Sequence, residues 1–249
     1  MKKLYIFLSL LFINMFAYGV NFAVAPTRFE IKIDKVVTNE VYIFNNTKKP
    51  LRIETYTESD NDFGSEYNLD SNIVVFPKIV SIKPGGRQTV RFRVKPGQNL
   101  KDGEYKSYII FKEVPSEIKS YGENSSEEVL TSKVTILTEL GISVYGSIGE
   151  EILKGRIENF KTSYENGILS IRFDGISEGN TSFKYQFVVE DENGDILSKG
   201  KCGIPTRNKK NQIGFGVKEV ANAKGKSVKV KILDQKNNIL KEEKVRIKK

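Results

Sequence analysis

Histidine and tryptophan are both absent from the 249 residues, and cysteine occurs once, as Cys202. Each absence closes off chemistry. Without His the commonest general base and metal ligand is gone. Acid–base work would fall to Asp, Glu and Lys, among which no paired carboxylates stand out. A single thiol can form neither an internal disulfide nor a thiolate metal cluster. Cys202 reads as a small residue near a strand end, the alternative being a reactive thiol. There is no glycine-rich phosphate loop. The chain is read as non-enzymatic, with no cofactor and no metal implied.

Long apolar runs are confined to the N-terminus. Met1-Lys2-Lys3 is a short positive segment, Leu4 to Phe16 is almost unbroken hydrophobic, and Ala17-Tyr18-Gly19 places small residues at −3 and −1 of a cleavage site. That is the layout of a secretory signal peptide, with cleavage expected between Gly19 and Val20. An uncleaved anchor would want about 20 apolar residues. The mature chain is expected to be exported, with no stable membrane insertion once residues 1–19 are removed. The formal charge of +9 falls to +7 when Lys2 and Lys3 leave. A basic balance can suit nucleic acid or a membrane surface, but export argues against nucleic acid. Acidic or carboxylate-terminated protein ligands stay open.

What is present is strand pattern. "EVYIFN" (40–45), "LRIETYT" (51–57), "QTVRFRV" (88–94) and "EYKSYIIFK" (104–112) alternate or run apolar, separated by "NNTKKP", "KPGG" and "KPGQN". Gly and Asn accept positive φ in such turns and Pro presets the first turn angle. The second half repeats the style in "ILSIRFDG" (168–175), "FKYQFVVE" (183–190), "QIGFGVK" (212–218), "SVKVKILD" (227–234) and "ILKEEKVRIK" (239–248). Asn-Gly or Asn-Asn before an apolar run recurs in "ENGIL", "ENGDIL" and "KNNIL", the signal of a tight hairpin turn. Short strands punctuated in this way predict an all-β protein of two sandwiches. The boundary is expected near Gly146 to Gly149, giving domains at 20–146 and 147–249 joined by a short, stiff connection.

Two stretches raise questions of function. In "VAPTRFEIKID", Thr27, Phe29, Ile31 and Ile33 share one parity, while Arg28 interrupts the other, where Phe22, Val24 and Pro26 precede it. Arg28 is either a solvated strand residue or a cation placed for an anion. "EVLTSKVTILTELGISVYG" (128–146) alternates over a length well beyond the usual five or six residues of a strand. It reads either as two strands with a bulge near Gly141 or as one strand that overruns its own sheet. An apolar edge left open in that way usually has a partner.

In order and spacing, "FAVAPTRFEI", "VYIFNNTKKPLRIETY", "FPKIVSIKPGGRQTVRF", "DGEYKSYIIFKEVP" and the long strand resemble the periplasmic chaperones of pilus assembly by the chaperone–usher pathway. The resemblance covers roughly residues 22–145, and the second half matches only as an immunoglobulin-like sandwich. It implies two immunoglobulin-like domains in an L or boomerang arrangement, residence in the periplasm and no catalysis. The implied partners are pilus or fimbrial subunits and an outer-membrane usher. The long strand would be lent to an incomplete subunit by strand addition, with Val134, Ile136, Leu140 and Ile142 facing the subunit. Leu137 and Tyr145 would face the domain's own core.

The same resemblance gives Arg28 the role of anchor for the subunit's C-terminal carboxylate and places Glu104 in a salt-bridge network at the domain junction. Two departures stand out. The family's partner Lys, expected near Ile142, is absent, since no basic residue occurs from 134 to 147, and an expected Arg is replaced by Gly146. When no subunit is bound, an open apolar edge can self-cap in a dimer. A reading from another class also stands: a structural or adhesive exported surface protein of immunoglobulin-like domains.

Overall fold

A computed structural model describes residues 20–97, 100–115, 136–223 and 225–247. The signal segment 1–19 and Val134 lie outside the described residues. Strands begin almost at once. β1 (Phe22–Ala25) buries Phe22 and Val24 and pairs antiparallel with β3 (Val37–Asn45). The chain then crosses to a second sheet at Pro26-Thr27, because proline has no N–H to continue a ladder. β2 (Arg28–Lys32) runs on in that second sheet.

The remaining strands of the N-terminal half are β4 (Leu51–Ser59), β5 (Ile73–Phe76), β6 (Ile79–Ile82), β7 (Arg87–Val94), β8 (Gly103–Val114) and β9 (Glu139–Ile148). They form one sheet ordered β1-β3-β7-β5 and another ordered β2-β9-β8-β4-β6. Phe22, Ile33, Ile53, Phe92, Ile109 and Val144 meet between the two sheets as a buried core. Burial of each such side chain contributes about 1.5–3 kcal/mol before chain entropy is counted.

The C-terminal half is a second sandwich. β10 (Gly155–Glu165), β11 (Ile168–Ser177) and β14 (Lys210–Val217) make one sheet. β13 (Ile196–Gly203), β12 (Tyr185–Glu190), β15 (Ser227–Leu233) and β16 (Ile239–Arg246) make the other. Its core gathers Phe173, Tyr185, Val189, Val230 and Ile232. The fold is all-β, two immunoglobulin-like sandwiches, as the turn spacing predicts. Cys202 lies on β13, partly buried against the second core, and burial pushes its thiol up to about 12.

Candidate functional site

The crossing at Pro26 sets Arg28 at the first position of β2, directly beside Ser143 of β9 in a parallel pairing. Its side chain is about half exposed. The Nε of Arg28 donates to Glu30 Oε1 at 2.9 Å, and its Nη2 lies 2.7 Å from the same oxygen. The guanidinium carbon stands 4.0 Å from the centroid of the Tyr145 ring, a cation–π stack.

Tyr145 is the middle of a cross-strand row, with Glu30 on β2 at one side and Lys106 on β8 at the other. Buried Phe63 meets its ring edge-on at 6.3 Å, and the Lys106 ammonium lies 5.2 Å from its centroid. Beside Arg28 a cavity of about 450 Å³ opens between the two domains, lined among others by Arg28, Glu30, Tyr145, Ser182, Lys184 and Gln235.

Lys106 itself is 9% exposed and Asp60 8%. The ammonium donates to Asp60 Oδ2 at 2.5 Å and to the Tyr108 hydroxyl at 2.8 Å, and that hydroxyl donates to the same carboxylate at 2.9 Å. Burial alone would push the Asp60 carboxyl up. The hydrogen bonds from Lys106, Tyr108 and the Phe63 N–H more than reverse that and hold it below its ordinary value. Burial works against the Lys106 ammonium too, and Asp60 and Tyr108 override it, so Lys106 is held protonated well above its ordinary range. The cation missing from the long strand thus has a counterpart one strand away, but that cation is committed to Asp60.

Within β9 the faces run opposite to the expectation, with Ile142 inward and Tyr145 outward. β9 pairs with β8 from Glu139 to Ile148 without a register shift, so no bulge forms at Gly141. Ile142 lies opposite Ile109 and Leu140 opposite Phe111. Cross-strand neighbours share a face, and Ile109 and Phe111 are core residues. Ile142 is therefore 1% exposed and belongs to the domain's own core, and Leu140 packs partly against it. Ile136, by contrast, is 84% exposed. Tyr145 is on the outer face with Arg28, not in the core. Gly146 points inward, where a Cβ would stand 3.0 Å from Leu69 Cδ1, so this position has no space for an arginine. On the side away from β8, β2 covers only Ser143 to Ser147. Residues 139–142 therefore present an edge with no strand partner among the described residues.

Residues 21–139 match the family model described as the pili and flagellar-assembly chaperone, PapD N-terminal domain. The N-terminal domain belongs to this chaperone family. Among solved structures, the chain is similar to the E. coli chaperone DraB at 12% identity, with a TM-score of 0.48 over 91% of this chain and 96% of that one. It is similar to the chaperone–tip adhesion subunit pre-assembly complex of Acinetobacter baumannii Csu pili at 16% identity, with a TM-score of 0.44 over 92% and 99%. A third is the Salmonella enterica SafA pilin in complex with the SafB chaperone, at 10% identity and a TM-score of 0.44 over 92% and 97%. No curated protein sequence matches the chain. No helix among the described residues is long and apolar enough to cross a membrane.

The chaperone domain meets its neighbour through Glu104, though not by the expected salt bridge. Glu104 Oε2 accepts from the Ser182 N–H at 2.7 Å and the Ser182 hydroxyl at 2.5 Å. No cation lies within ion-pair distance of it among the described residues. The cation at the junction is Arg207, 6% exposed, which sequence patterning did not single out. It donates to the carbonyls of Glu104 and Asp102, both at 3.2 Å, and its guanidinium lies 3.9 Å from the Tyr67 ring centroid. Gly103 makes this approach possible. Its φ is +127°, and a Cβ there would fall 2.3 Å from the Asn180 carbonyl oxygen.

Proposed function

We propose that this protein is an exported, periplasmic chaperone, with a cleaved signal at residues 1–19. It captures pilus or fimbrial subunits by donating a strand and hands them to an outer-membrane usher. Residues 20–146 do the capturing, and residues 147–249 form the second wall of the cleft. The observation that carries this reading is the free edge of β9, which stops where Arg28 starts. A strand added along residues 136–142 parallel to β9 runs toward β2 and ends beside Arg28 with its carboxyl terminus. An antiparallel strand would bring an amino terminus to the same cation and be repelled. Parallel addition therefore delivers a terminal carboxylate to a guanidinium, a charge-assisted contact that fixes register. Ile136, with Val134 before it, supplies the apolar side chains for the subunit's groove. Leu140 contributes at most its exposed part, and Ile142 belongs to the chaperone's own core.

The test is co-expression with a fibre subunit. A one-to-one complex is expected, and Arg28→Ala should weaken it by about 1.5–3 kcal/mol, the range for a hydrogen bond to a charged group. Extending or amidating the subunit's C-terminus should weaken the wild-type complex to the same level, and the two losses should not add. A chain that binds no subunit and assembles with itself would support the adhesive reading instead.

A further inference from the structure

We propose that Glu30 is a built-in competitor for the carboxylate site and that Tyr145 is the positioning residue that presents Arg28 to the cleft. This rests on the reading that Arg28 meets a carboxylate. Two residues apart on one strand, Arg28 and Glu30 point to the same side, and one Glu30 oxygen takes both Nε and Nη2. That edge of the guanidinium is one of those a bidentate carboxylate would use. The free protein therefore satisfies its own anchor. The side chains are 47% and 61% exposed, so the pair is solvated and exchangeable. A buried pair would not exchange so readily.

Tyr145 acts at right angles to this. Stacking on the ring fixes the guanidinium plane and leaves its N–H edges free to hydrogen-bond within that plane. The ring in turn is wedged by buried Phe63 and flanked by Lys106, which Asp60 holds in place. Arg28 thus gains order from a stack rather than from a second cation. The competitor also sets selectivity. A small free carboxylate only replaces what Glu30 gives up, whereas a strand that also pairs with β9 gains its backbone hydrogen bonds. The site therefore favours chain termini over loose carboxylic acids.

The test uses the mature chain, with N-acetylglycyl-phenylalanine and its C-terminal amide as probes. The Arg28 Nε–Hε resonance is followed by NMR. The acid should shift that resonance and the amide should not. Glu30→Gln should lower the dissociation constant of the acid about two- to fivefold, the scale of an exposed ion pair. Tyr145→Phe keeps the ring and should match wild type, whereas Tyr145→Leu should weaken binding about three- to tenfold. An amide that binds like the acid would overturn the proposal, as would a Glu30→Gln variant that binds no tighter or a Tyr145→Leu variant that binds like wild type. Should Tyr145→Leu fail to fold, Glu30→Gln decides alone. The resonance reports on the anchor whether or not a subunit is captured, so failure here and failure of the chaperone reading are separate results.

Discussion

Replacing Lys106 with Met keeps the length of the side chain and removes its charge. The Asp60 carboxylate would stay, 8% exposed, with the Tyr108 hydroxyl and the N–H groups of Asp62 and Phe63 as its partners. Removing one member of a buried pair costs about 3–5 kcal/mol, because the other charge is left desolvated without compensation. That is a large part of the roughly 5–15 kcal/mol that holds a domain folded. With no Trp among the residues and 11 Tyr, urea unfolding can be followed by tyrosine fluorescence. At about 1–3 kcal/mol per molar, the midpoint should fall by roughly 1–5 M. Adding Asp60→Leu should restore most of the loss, since the stranded charge goes with it.

The pH profile supplies a second check. In wild type the depressed Asp60 carboxyl contributes stability above its ordinary value of 3.8, and that contribution is lost as pH falls through the lower folded value. Lys106 contributes below its ordinary 10.5, and its contribution is lost as pH rises through the higher folded value. Between these limits the pair's contribution is flat. In Lys106→Met the buried carboxylate loses its cation, its folded value moves up from the depressed one, and the loss of stability on acidification through this range should shrink. A single substitution costing under about 1 kcal/mol, as expected of an exposed pair, would refute the argument. So would a double variant no better than the single.

Ile142→Asp puts a charge into the first core and should leave the N-terminal domain unfolded by circular dichroism. Ile136→Asp should leave stability within about 0.5 kcal/mol and abolish subunit capture in a pull-down. Cys202, with its thiol pushed up to about 12 by burial, should resist a thiol-specific disulfide reagent at pH 8 and react fully in denaturant. Gly103→Ala combines a strained φ with a clash at Asn180 and should loosen the junction by about 1–3 kcal/mol, read as faster amide exchange at Glu104 and Ser182.

Strand existence was legible where alternation was clean. β3, β4, β7 and β8 fall where the pattern places them, each a little longer than its apolar stretch. β10 was not legible. Its register shifts between Glu158 and Lys161, with Asn159 at a φ of 52°, and a bulge of that kind breaks period two. β13, an edge strand written "ILSKGKCG", carries the Lys and Gly that protect edges and that also hide strand propensity. On the long strand, alternation divides the side chains into two faces but does not say which one is inward. Ile109 and Phe111, about thirty positions away, settle that through the β8 pairing. The Arg28 site was half legible for the same reason. The cation stands out of its local pattern, whereas Tyr145, Lys106 and Asp60 reach it only through cross-strand neighbours that no spacing encodes.

The junction has a further consequence. Arg207 is held by two uncharged carbonyl oxygens and the faces of aromatic rings, and Glu104 by hydroxyl and amide groups. Mobile ions act mainly on exposed charges, whose interactions are largely screened beyond roughly 10 Å at about 0.1 M salt, and buried polar contacts feel them much less. The angle between the sandwiches is thereby insulated from ionic strength, while the Arg28–Glu30 pair at the mouth of the cleft is not. Salt can weaken what holds a carboxylate and leave unchanged the frame that aims it.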